Sequence, residues 1–132
     1  ELPGQVKGII ADCAYTSPWD IFASVLQSDF HLPKTPVLQV ADWICRRKAG
    51  FAFKECSTID CMRTNRIPVL FIHGGADTFV PASMSYRNYA ECAAEKELYI
   101  VKNAAHATSS LAAPEGYRRK VMEFMEKYGN ED

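Results

Sequence analysis

The sequence predicts an α/β protein, a parallel sheet of about three strands flanked by helices. Three observations predict it. Short apolar runs at residues 6–12, 67–72 and 97–101 are separated by segments of helical periodicity. Strands that alternate with helices pair in parallel through right-handed crossovers. An aspartate and a histidine, Asp77 and His106, stand just past the second and third strands, where parallel sheets form their ligand crevice.

The elements follow in order. Val6 to Asp12 is short and mostly apolar, as suits a strand buried on both faces. Ser17 and Pro18 open a helix as N-cap and first helical residue, and Asp20 stands at the acid position of a capping box. Trp19, Phe22, Ala23, Leu26 and Phe30 form its expected apolar face, before Pro33 and Pro36 break it. A second helix is expected from about Pro36 to Arg47, with Val37, Val40, Ala41 and Ile44 inward and Gly50 as its stop. Residues 51–66 read as irregular, with one short turn near Ser57–Cys61. Residues 68–72 form the next strand, and Gly74-Gly75 the turn after it. Pro81 starts a helix to about Ala94, with Tyr86, Tyr89, Ala90 and Ala93 on one face. The last strand is 97–101. The last helix runs from Pro114, with Tyr117, Val121, Phe124, Met125 and Tyr128 inward, and ends at Gly129.

At 132 residues this is one domain or part of one. The net charge of -1 gives no electrostatic reason to expect nucleic acid or acidic lipid as a partner. No apolar stretch approaches the roughly 18–20 residues needed to span a bilayer. The opening Glu1-Leu2-Pro3-Gly4 reads as a loop within a longer protein. Five cysteines without a regular framework predict structural thiols, buried as small hydrophobes, in a reducing, cytoplasmic setting.

The chemistry concentrates on Asp77 and His106. A carboxylate held over a sheet edge can fix an imidazole's tautomer and stabilise the imidazolium formed in catalysis. The other reading of Asp77 is that it only bonds its own turn or caps the helix near Pro81. His106 lies among alanines that leave an imidazole accessible, and its ordinary pKa of about 6.5 suits a general base. His73, in the tight turn, is expected to be structural. The spacing of His73, Asp77 and His106 does not suggest a metal site, and no cofactor is expected. Asp12 is a candidate substrate contact. Trp19 and Trp43 are expected to pack, or else to wall an acyl pocket if the 18–62 segment acts as a lid. No Gly-x-Ser-x-Gly occurs, and no serine, nor Cys13, has the setting of a nucleophile elbow.

These residues resemble the C-terminal half of an α/β-hydrolase, of the bacterial serine hydrolases in the esterase and peptidase-like group. The pattern Pro68-Val69-Leu70-Phe71-Ile72-His73-Gly74-Gly75-Ala76-Asp77, followed by Val80-Pro81, looks like that fold's seventh strand and acid turn. Val6–Asp12 looks like the sixth strand, Glu97–His106 like the eighth strand and histidine loop, and Pro114–Tyr128 like the closing helix. Alanines stand where the family often has a glycine before the histidine. The resemblance implies Asp77 as triad acid and His106 as base, with the serine elbow and oxyanion hole upstream of Glu1. It implies a parent that cleaves a small-molecule ester, thioester or amide through an acyl-enzyme, and a chain inactive alone. Related options are an aspartate or cysteine nucleophile, an acyltransferase, or a non-catalytic α/β binding module. An open first-strand edge is expected to produce a strand-paired or swapped homo-oligomer, or a complex with the missing N-terminal half.

Overall fold

The computed structural model describes residues 4–129 of the chain; the first three residues of the loop expected at Glu1–Gly4 lie outside them. Three strands, β1 (Ile9–Asp12), β2 (Val69–Gly74) and β3 (Lys96–Val101), form one parallel sheet with β2 in the centre. Among the described residues six helices accompany them: α1 (Pro18–Ser28), α2 (Lys34–Ala49), α3 (Thr58–Thr64), α4 (Ala82–Glu91), α5 (Ser109–Ala112) and α6 (Pro114–Tyr128). Among the described residues no helix is long and apolar enough to cross a membrane.

The central strand explains the core. All six residues of β2 are buried, and successive side chains alternate between the faces of the sheet. Val69 and Phe71 pack with Cys92, Tyr89, Leu98 and Met62 on one face. Leu70 and Ile72 pack with Phe124 and the half-buried Tyr99, Tyr117, Val121 and Tyr128 on the other. Helices therefore cover both faces, and truncating Leu70 or Phe71 to alanine would cost about 2–5 kcal/mol. A third cluster, Ile21, Val80 and Met84, fastens α1 to the start of α4.

Local signals in the sequence set several boundaries. The Ser17 Oγ accepts the Asp20 amide at 3.0 Å, and Pro18 starts α1. The Asp20 carboxylate does not complete a capping box; it accepts the Thr16 hydroxyl at 2.6 Å. Gly50 ends α2 in the left-handed region at φ 81, where a side chain would be strained. α3 is a full two-turn helix where only a turn was expected, and the Ser57 hydroxyl caps it at 3.2 Å. β1 is shorter than the expected strand from Val6. α5, a single turn, was not foreseen.

The inward faces of four helices differ from the periodicity-based expectation; in α6 the expected Met125 is exposed. In α1 the buried residues are Ile21 and Ala23, while Phe22 and Phe30 are 46% and 64% exposed. In α2 only Leu38 is buried, and Val37, Val40 and Ile44 face outward. In α4 the buried face is Met84, Ser85 and Asn88, while Tyr86 is exposed and Tyr89 packs edge-on to Phe71. Each of these helices has apolar residues on more than one side, so what it packs against decides its rotation. The cysteines divide similarly. All five are free thiols, but only Cys13 and Cys92 are buried, while Cys56 and Cys61 are exposed.

The excursion from β1 to β2 is tied down at its base. The Thr58 amide donates to Thr16 O at 2.9 Å, and the Thr58 hydroxyl donates to Asn88 Oδ1 at 2.8 Å. Buried Asn88 in turn donates to Tyr15 O at 3.1 Å. These bonds leave the outer parts of α1 and α2 facing each other across an open apolar hollow of about 290 Å³, lined by Phe22, Leu26, Phe30, Val37, Leu38 and Phe53 among others.

Candidate active site

The site is assembled by three strand ends. β2 ends at Gly74, and the chain folds back so that the Asp77 amide donates to Gly74 O at 3.2 Å. The turn is stitched to the end of β3 and the segment after it. Gly75 N donates to Val101 O at 2.8 Å, and Ala76 N donates to Ala104 O at 2.9 Å. The two glycines serve this approach. Neither takes a positive φ, so left-handed backbone freedom is not what the turn requires of them. A Cβ on Gly74 would instead strike the carbonyl oxygens of Ala104 and Ala105, and one on Gly75 would lie 2.7 Å from Lys102 O.

That seam delivers Asp77 to His106. The Asp77 Oδ1 accepts the amides of Phe79 at 3.0 Å and Val80 at 2.8 Å. The Oδ2 faces His106 Nδ1 at 2.8 Å. One oxygen therefore holds the turn while the other faces the imidazole. The carboxylate is fully buried, whereas the His106 side chain is 39% exposed. Phe79 stands edge-on to the imidazole, with ring centroids 5.1 Å apart. With Nδ1 committed to the carboxylate, Nε2 is the ring nitrogen left to exchange a proton with a reacting group.

His73 is a buried structural residue, as expected. Its Nδ1 accepts the Ser85 hydroxyl at 2.6 Å, and its Nε2–H donates to Val80 O at 2.8 Å. The same Nε2 lies 3.2 Å from Asp77 Oδ2. Its ring thus stands behind the carboxylate, with its N–H directed at Val80 O.

Cys13, expected from the sequence to be a structural thiol without a nucleophile elbow, lies beside this pair. Cys13 continues the β1 ladder, its amide donating to Ile72 O at 3.0 Å, and it takes a left-handed φ of 56. Non-glycine residues rarely adopt this conformation. It brings the thiol within 4.8 Å of both the Asp77 carboxylate and a His106 ring nitrogen. The Ala107 amide donates to its sulfur at 3.3 Å. Burial pushes the thiol above its ordinary pKa, the Asp12 carboxylate adds to this, and the Ala107 amide opposes it. Such a thiol is not the activated thiolate of a cysteine nucleophile. The available signal was its position, one residue beyond the first strand.

The remaining candidates lie around this centre. Asp12 is exposed, and its carboxylate accepts the Cys13 thiol at 3.2 Å and the Tyr117 hydroxyl at 3.0 Å. Trp19 lies under the Lys54 ammonium at 4.2 Å. Trp43, 57% exposed, stands under the Arg47 guanidinium at 4.8 Å. The apolar hollow between α1 and α2 is walled by phenylalanines, leucines, valines and an alanine, and neither tryptophan lines it.

Comparison with known proteins agrees with this architecture. No protein-family model matches the chain. The chain is 33% identical over 117 residues to the uncharacterized protein YqkD of Bacillus subtilis (strain 168), covering 89% of this chain and 38% of that protein. Among solved structures, the Pyrococcus furiosus esterase Pf2001 superposes with a TM-score of 0.68 at 18% identity, over 96% of this chain and 47% of the esterase. The Pyrococcus horikoshii acylaminoacyl peptidase superposes with a TM-score of 0.63 at 21% identity, over 92% of this chain and 20% of the peptidase. The chain thus spans well under two thirds of each of these proteins. Its three-stranded parallel sheet and flanking helices are those of the C-terminal part of an α/β-hydrolase fold.

Proposed function

We propose that this chain, with its α/β-hydrolase fold, supplies the acid and base of a serine hydrolase that cleaves small-molecule esters, thioesters or amides. The observation that carries the reading is the 2.8 Å contact between His106 Nδ1 and Asp77 Oδ2 at the carboxyl ends of parallel strands. In the proposed cycle, His106 Nε2 takes the proton of a serine hydroxyl as its oxygen attacks the substrate carbonyl. Asp77 stabilises the resulting imidazolium. His106 then protonates the leaving alcohol, thiol or amine, which departs and leaves an acyl-enzyme. Water, deprotonated by the same nitrogen, releases the acid.

The serine and its oxyanion-hole donors belong, on this reading, to strands of the longer protein that pair against the outer edge of β1. The chain alone is then inactive, because the oxyanion donors contribute several kcal/mol to such reactions. The same open edge supports the expectation of strand-paired association when the chain stands by itself. The α1–α3 excursion serves as the lid, and its phenylalanine-walled hollow supports an apolar acyl group as the part of the substrate it covers. The five free thiols support a cytoplasmic setting.

A fluorophosphonate probe tests the proposal. It should label one upstream serine in the intact protein, and His106→Ala should slow labelling by about 100-fold or more. Absence of labelling in the intact protein would leave the non-catalytic binding module as the better reading.

A further inference from the structure

The catalytic reading uses Asp77 and His106 but gives no role to the thiol beside them. Cys13 Sγ, an Asp77 carboxylate oxygen and a His106 ring nitrogen all lie within 4.8 Å of one another. Zinc bonds of about 2.0–2.3 Å place tetrahedral ligands roughly 3.3–3.8 Å apart. A movement of at most about 1.3 Å in the sulfur, together with slight opening of the acid–imidazole contact, would bring the three to that spacing.

The donor set is selective. A thiolate, an imidazole and a carboxylate together suit a borderline-soft cation and not magnesium or calcium, which prefer all-oxygen sites. The groups that would support the ligands are already in place. The Ala107 amide points at the sulfur at 3.3 Å, and His73 Nε2 lies 3.2 Å behind the carboxylate. Asp12, 3.2 Å from the sulfur, adds negative charge at the rim. The partly exposed imidazole gives a cation a route from solvent.

We propose that Cys13, Asp77 and His106 form a binding site for a thiophilic divalent cation of the zinc class, and that its occupancy switches the catalytic pair off. Binding replaces protons and transfers no electrons. The thiol proton passes to solvent, the imidazole proton moves from Nδ1 to Nε2, and three protein ligands plus one water complete the tetrahedron. A cation held there separates the carboxylate from the imidazole and leaves Nε2 protonated, unable to act as a base. The inhibition rests on the hydrolase reading above, whereas the cation site does not.

Cobalt(II) is the probe, added to the metal-free intact protein. The expected result is one cobalt per chain with a thiolate-to-cobalt charge-transfer band, displaced by zinc. The band should persist when the exposed Cys56 and Cys61 are both replaced by alanine, and vanish in Cys13→Ala. Cys13→Ser, close in size to the thiol, provides a folded control if the alanine variant is unstable; it should also lose the band. Zinc should inhibit ester hydrolysis, and Cys13→Ala should weaken that inhibition by about tenfold or more, since even outer-shell losses at metal sites reach this size. A band that survives both Cys13 variants, or no band at stoichiometric cobalt, overturns the site. Zinc-insensitive hydrolysis by a protein that shows the band overturns the switch. A protein that shows the band but hydrolyses nothing when metal-free overturns the hydrolase reading and leaves the site standing.

Discussion

His73 Nε2 lies 3.2 Å from Asp77 Oδ2, with both side chains at zero exposure. The strand therefore sets a buried ring against the back of the carboxylate four residues later. His73 also holds the Val80 carbonyl and the Ser85 hydroxyl, both otherwise sealed from water. His73→Ala should leave these groups unpaired and cost about 2–4 kcal/mol in chemical unfolding. In the intact protein it should lower kcat more than it raises KM, because it loosens the carboxylate without touching substrate. A variant as stable and active as the parent would show that Asp77 needs no such support.

Gly74→Ala probes the seam between the acid turn and the histidine loop. The added methyl meets backbone carbonyls, which cannot rotate away as a side-chain tip can. The substitution should cost roughly 1–3 kcal/mol and shift the His106 ring resonances in NMR. Gly4→Ala, where a Cβ meets nothing within 4 Å, should change neither. Unmoved His106 resonances in Gly74→Ala would mean that the loop is positioned by other contacts.

The alkaline limb of stability should carry the signature of Cys13 and Tyr117. Burial raises both above their ordinary pKa values, and Asp12 adds to each shift. The folded state then holds these protons more tightly than the unfolded chain does. Their contribution is fully present below the unfolded-state pKa values, about 8.5 for cysteine and about 10 for tyrosine. It is lost as pH rises through the higher folded values. Cys13→Ser should flatten the decline in unfolding free energy from about pH 8.5 upward, and Tyr117→Phe from about pH 10 upward. An identical slope in parent and double variant would contradict the burial of both groups.

Much of this arrangement was legible in the sequence because it depends on local chemistry. Ser17, Pro18 and Gly50 mark helix ends through backbone requirements that act within a turn. Asp77 and His106 could be paired because each follows a strand, and parallel strands bring their ends to one side of the sheet. Cys13 belongs to the same geometry, but it contacts Ala107 across 94 residues, and only the register between β1 and β2 sets that distance. The faces of α1, α2 and α4 were misread for a related reason. Ile21 is buried in place of Phe22 because Val80 and Met84 lie beneath it, which periodicity within α1 does not encode. Gly74 and Gly75 were recognised as necessary, but their reason is the close passage of the histidine loop.

The central claim is that Asp77 acts through His106, and Asp77→Asn in the intact protein tests it most directly. Steady-state hydrolysis of a simple ester should lose about 10⁴-fold in kcat, the scale set by replacing the acid of a Ser-His-Asp triad. Far-ultraviolet circular dichroism should show the fold retained. Activity within about threefold of the parent in a folded Asp77→Asn protein would contradict the account.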